Sequence, residues 1–167
     1  RWLLVTAAID AAESGADFPE HRVFMLSADH PGINSRPCAL ADGRRAADLH
    51  LGNVEIKDDA LVGSDTDVSD ALKRVLAEAG IAACWEASGA MQAMFEMTLD
   101  YTAQREQFGQ PLANFQVVAH RLAEIAVRCE EALAACQLAS LRAECDLAEL
   151  SGAHAMARSK VGRCAEY

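Results

Sequence analysis

The feature that most constrains this chain is a change of period near Ser69. Beyond it, apolar or small residues recur every three or four positions from Leu72 almost to Tyr101. That run of about 30 residues compares with a mean α-helix of about 11 to 12. A helix so long needs neighbours along its length, so it points to a long antiparallel bundle more than to a compact globule. Ser69 is a good N-cap candidate, because a short hydroxyl side chain can accept a backbone N–H of the first turn. Gly80 and Gly89 lie inside the run and each costs about 1 kcal/mol in helix propensity. Close approach of another helix or a ligand would offset that cost.

The next helix reads face by face. Phe115, Val118, Leu122, Ile125, Cys129, Leu133 and Cys136 form an apolar stripe, while Arg121, Glu124, Arg128 and Glu131 follow another face. This helix is expected to end near 146–152, with a third beginning near Ala153. Before Ser69 the period is two. Residues 2–9 and 22–27 read as strands, 13–20 as a polar loop, and 28–32 (A-D-H-P-G) as a turn. A loop rich in Asp, Gly and Arg follows around 41–45. Leu49-His50-Leu51 and Val54-Glu55-Ile56 then alternate on either side of Gly52-Asn53, which suggests a hairpin. The fold class is α+β: an antiparallel β segment followed by long antiparallel helices of an incomplete bundle. The expected domains are 1–65 and 66–167.

Composition excludes several roles. A formal charge of −10 disfavours nucleic-acid and anionic-membrane surfaces. No apolar run approaches the ~20 residues of a membrane span. Six cysteines show no C-x-x-C pair, and four lie in stretches that read as helix interior. They read as buried free thiols acting as small apolar residues, which fits a reducing cytoplasm. The five histidines lack metal-ligand spacing, so no metal is assigned. Arg1 opens directly on an apolar strand, and residues 153–167 keep helical character to the end. The chain therefore reads as a piece of a longer protein.

Between the two long helices stands Y-T-A-Q-R-E-Q-F-G-Q-P-L-A-N-F-Q, residues 101–116. Turn chemistry accounts for part of it. Gly109 suits a left-handed residue closing the first helix, Pro111 prevents continuation, and Asn114 suits the N-cap of the next. Arg105, Phe108 and Gln116 are left without a reason.

That stretch, followed by A-H-R-L-A-E-I, resembles the signature of the acyl-CoA dehydrogenases, in which a long helix ends in Y-x-x-x-R-x-x-F-G with a Gln further on. The resemblance covers nearly the whole chain. V-F-M-L-S-A-D-H-P-G-I is similar to the end of the family's barrel-like middle β domain, and L-H-L-G-N-V-E-I-K-D-D-A-L-V-G to its last hairpin and the entry to the C-terminal bundle. A-R-S-K-V-G-R-C-A is similar to the start of the bundle's next helix. Within the family, E-A-S-G-A-M-Q-A-M-F-E-M-T-L-D-Y is most similar to small or atypical subunits of dicarboxyl-CoA and sterol-type dehydrogenases.

The resemblance implies an FAD-dependent α,β-dehydrogenation of an acyl-CoA, with electrons passing to an electron-transfer flavoprotein. Arg105 would pair with the FAD pyrophosphate of a neighbouring subunit, Phe108 would pack on the adenine end, and Gln116 and Gln107 would contact the same cofactor. Blander readings exist for each. An arginine at a helix C-terminus is favoured by the macrodipole, Phe108 can serve as a hydrophobic cap contact, and Gln116 as a first-turn polar residue. A dimer or tetramer, homo- or hetero-oligomeric, follows from the shared site. The flavin-cradling strands would precede Arg1, and the usual catalytic glutamate would follow Tyr167, so the fragment alone is expected to be inactive. In some members the base lies on the long helix near 76–80. Alignment places Ala79 there, and Gly80 where a substrate-contacting arginine is usual. Glu78 becomes the base only under a one-residue shift, and helical neighbours face directions about 100° apart. Glu86 reads as a bundle-interior polar group. These departures leave a second reading open, a non-catalytic subunit that completes the FAD site of a catalytic partner.

Overall fold

The computed structural model describes residues 1–9, 20–63 and 67–166. The chain divides into two compact units, Arg1–Ser69 and Asp70–Tyr167. The polar loop expected over 13–20, except Glu20, and the domain boundary expected at 65/66 lie outside the described residues.

In the first unit, β1 (Trp2–Ile9) pairs antiparallel with β2 (Glu20–Ser27), from Trp2 opposite Ser27 to Ile9 opposite Glu20. Alternation along β1 turns Leu3, Val5, Ala7 and Ile9 inward and leaves Trp2, Leu4, Thr6 and Ala8 exposed, as the two-residue period requires. Leu26, opposite Leu3, is the buried side chain of this pair. Residues 28–32 form the expected turn, in which Ile33 N–H donates to the His30 carbonyl at 2.9 Å.

The hairpin that follows differs from the one expected around Gly52-Asn53. β3 (Ile33–Ala39) pairs with β4 (Arg45–Leu51), and 54–56 is not a strand. The turn signal that prevails is Asp42-Gly43. Gly43 sits at φ +80°, and the Asp42 carboxylate accepts from Arg44 N–H at 3.0 Å and from Arg44 Nε at 2.6 Å. Seven-residue arms pair more extensively than the three-residue arms of the alternative. Gly52 instead donates its N–H to the Gly32 carbonyl at 2.9 Å, which lays Gly52 and Val54 against Gly32.

Asp67 organises the end of this unit. Its Oδ1 accepts from His21 N–H at 2.9 Å, Ser69 N–H at 3.1 Å and the Ser69 hydroxyl at 2.7 Å. Ser69 is therefore the first helical residue and not the cap, since the acceptor is the carboxylate two residues earlier. The Ser69 proton points to Asp67, so His21 Nδ1, 3.0 Å from Ser69 Oγ, carries the hydrogen of that contact. The His21 N–H first, then the Ser69 hydroxyl, pull the Asp67 carboxyl down to about 2 from the ordinary 3.8.

The second unit contains α1 (Ser69–Gln104, from Asp70 onward), α2 (Gln116–Leu141) and α3 (Leu147–Ala165). Its core joins Ala77, Ile81, Cys84 and Met91 to Cys129, Ala132, Cys136 and Ala139, and to Leu150, Ala153, Ala157, Val161 and Cys164. Small residues dominate these positions, so the helices approach without large interdigitating side chains. The α2 stripe is inward as expected, with Leu122, Cys129 and Cys136 buried and Phe115, Val118, Ile125 and Leu133 half-buried. Its charged face forms the pairs Arg121–Glu124 at 3.1 Å and Arg128–Glu131 at 3.4 Å, and Glu131 also holds Lys160 of α3 at 2.9 Å.

α2 ends and α3 begins earlier than expected, at Leu141 and Leu147 instead of near 146–152 and 153. The Asp146 side chain accepts from Glu149 N–H at 2.9 Å, an N-cap that starts the helix six residues before Ala153. Arg74 of α1 secures the connection by donating to the carbonyls of Ala143 at 2.9 Å and Cys145 at 2.8 Å.

Gly80 and Gly89 separate. A Cβ on Gly80 would collide with the His154 imidazole of α3, so the ring of His154 occupies the space that the missing side chain leaves. Gly89 has nothing within 4 Å among the described residues. All six cysteines are free, with Cys84, Cys129, Cys136 and Cys164 buried, Cys145 half-buried and Cys38 exposed. Burial pushes the Cys84, Cys129 and Cys136 thiols up, which keeps them protonated and unreactive. No helix among the described residues is long and apolar enough to cross a membrane.

Candidate functional site

The site is the connection between α1 and α2. Arg105 N–H donates to the Tyr101 carbonyl at 2.9 Å and closes the last turn of α1. The chain then makes a miniature hairpin, β5 (Glu106–Gln107) against β6 (Gln110–Pro111), with Phe108 and Gly109 as its two-residue loop. Both loop residues are left-handed, Phe108 at φ +55° and Gly109 at φ +81°. Positive φ at both central positions is the requirement of a type I′ turn. Gly109 is left-handed as expected, but it serves the hairpin and not the end of α1. Leu112 N–H donates to the Arg105 carbonyl at 2.9 Å, so the base of the hairpin is tied shut.

A short 3₁₀ turn, Leu112–Asn114, leads into α2, and the residue at its N-cap is Phe115, without a side-chain hydrogen bond. Asn114 does not cap the helix as expected, because the 3₁₀ turn places it one residue too early.

The left-handed conformation costs a non-glycine residue roughly 1 to 2 kcal/mol. At Phe108 nothing in the described chain returns that cost through burial, for the ring is 94% exposed. Its neighbour is Phe115, edge-on with centroids 6.3 Å apart and planes at 87°. The turn therefore holds an aromatic ring outward in one orientation, braced by a second ring. Arg105 is exposed, and its guanidinium has no partner among the described residues. Gln107 donates from Nε2 to the Glu106 carbonyl at 2.9 Å, and Gln116 is exposed at the start of α2. A permanent cation, a projecting ring and side-chain amides form a donor set suited to an anionic group that also bears a flat ring system.

The second candidate region lies far from this turn. Glu78 precedes Arg105 by 27 residues on the same helix, roughly 40 Å at 1.5 Å per residue. Its carboxylate is half-exposed and 3.6 Å from the Arg74 guanidinium, the same group that holds the α2–α3 connection. Ala79 is exposed, and Gly80 lies under His154. Glu86, expected inside the bundle, is exposed and has no ion pair or hydrogen bond among the described residues, because its position on α1 turns away from the core face of Ala77, Ile81 and Cys84. Two residues that the sequence does not tie to these regions shape them, Phe115 as the brace of Phe108 and His154 as the neighbour of Gly80. Gly80 was itself the signal for the second, since a glycine in a helix interior asks what packs against it. Among the described residues, no group of three His, Cys, Asp or Glu side chains is placed to hold a metal ion.

Comparison with known proteins agrees with this architecture. Residues 69–167 match the family model of the acyl-CoA dehydrogenase C-terminal domain. An acyl-CoA dehydrogenase of Bacillus subtilis (strain 168) is 29% identical over 136 residues, covering 78% of this chain and 35% of that protein. A 3-sulfinopropanoyl-CoA desulfinase of Paraburkholderia xenovorans (strain LB400) is 28% identical over 127 residues, covering 73% of this chain and 33% of that protein. The solved structure of the Tcur3481-Tcur3483 steroid ACAD superposes with a TM-score of 0.73 at 26% identity, covering 99% of this chain and 43% of that one. The chain belongs to the acyl-CoA dehydrogenase family. It spans about a third of the length of these curated relatives.

Proposed function

We propose that this chain is the end of the middle β domain (1–65) and part of the C-terminal helical bundle (66–167) of an FAD-dependent acyl-CoA dehydrogenase, acting in fatty-acid metabolism. The observation that carries the reading is the exposed, left-handed Phe108 three residues after Arg105, whose guanidinium has no partner among the described residues. A strained aromatic held in solvent costs stability, and a ligand that covers the ring would offset that cost.

Arg105 would clamp the cofactor's pyrophosphate through a planar, permanently charged fork, Phe108 would stack against its adenine end, and Gln107 and Gln116 would supply hydrogen bonds. When bound, FAD supplies the acceptor for the hydride that leaves the β-carbon of the acyl chain. Removal of the α-proton needs a carboxylate. The ~40 Å along α1 between the turn and the 76–80 region is the support for one chain's turn and its own 76–80 face serving different sites. That separation supports a dimer or tetramer in which the turn completes a neighbour's FAD site. Electron-transfer flavoprotein is the proposed acceptor, and the free thiols fit a cytoplasmic protein.

A second reading has its own support. Glu78 is engaged by Arg74, and Gly80 is covered by His154, so the 76–80 region offers no unpaired carboxylate. The chain would then belong to a non-catalytic subunit that completes the FAD site of a catalytic partner. Expressing the intact protein alone, and assaying it with an artificial electron acceptor on straight-chain, dicarboxyl, sterol-derived and sulfinopropanoyl CoA thioesters, separates the readings. The dehydrogenase reading expects reduction of the acceptor with at least one thioester. Flavin binding without turnover on any of them, or flavin binding only in the presence of a catalytic partner, selects the partner subunit, and no flavin binding in either state defeats both.

A further inference from the structure

We draw no further inference here: the strongest candidate, the exposed apolar stripe of α1 that runs from Leu76 through Ala83 and Ala90 to Met94, Met97 and Tyr101, carries nothing because nothing in the structure shows what covers it.

Discussion

Phe108 shows how a single residue can be read in two directions. Its left-handed backbone opposes folding by about 1 to 2 kcal/mol, while its edge contact with Phe115 returns about 0.5 to 1.5 kcal/mol. Replacing it with glycine removes both, so Phe108→Gly should unfold within about 1 kcal/mol of the wild type in urea. Flavin affinity of the intact protein should nevertheless fall, because the projecting ring is gone. Asp67 makes a prediction about acid. Its carboxyl titrates at about 2 in the folded chain and at 3.8 when unperturbed, so the unfolded state binds the proton more readily. The stabilisation is complete above pH 3.8 and is lost as the pH falls through about 2. Acid titration followed by circular dichroism should show Asp67→Ala less stable than the wild type near neutrality, with the gap narrowing over that window. A gap that stays constant down to the lowest pH would contradict the assignment.

Elements differ in how much of them the sequence discloses. The glycines of α1 give a clean test, because one is packed and the other is open. Gly89→Ala should stabilise the bundle by about 1 kcal/mol, the propensity difference alone. Gly80→Ala should gain that amount only when His154 is also replaced by alanine, and a double-mutant cycle by denaturant unfolding measures the coupling. Equal effects at Gly80 with and without the imidazole would mean that the two helices are not in contact there. The long helices and the α2 stripe were legible because burial repeats every three to four residues over many turns. β3 was not, since I-N-S-R-P-C-A lacks alternation and contains Pro37, and only its partner β4 makes it a strand. The start of α3 was hidden for another reason. Ser151-Gly152 looks like a break, whereas the cap that decides the matter is Asp146, with Glu149 three residues on. Arg105, Phe108 and Gln116 stood out because turn chemistry did not require them, whereas Gln107 entered only through the family resemblance. Their presentation was illegible, since a left-handed phenylalanine runs against local preference and shows only in the folded chain.

At the scale of the molecule, the two units carry different parts of the account. The second contains the turn, and the family match covers all of it. The central claim is that this turn holds FAD, with Arg105 supplying the charge. A hydrogen bond to a charged group contributes about 1.5 to 3 kcal/mol, so Arg105→Ala should weaken FAD binding by about 10- to 100-fold. Because Arg105 is exposed and unpartnered among the described residues, the same change should leave helical content and unfolding midpoint unaltered. The most direct measurement is the flavin absorbance of the purified intact protein and of its Arg105→Ala variant, before and after reconstitution with FAD. The account predicts a yellow wild type and a folded variant that has lost most of its flavin. A variant that keeps flavin as the wild type does, or a colourless wild type that takes up no FAD, would contradict it.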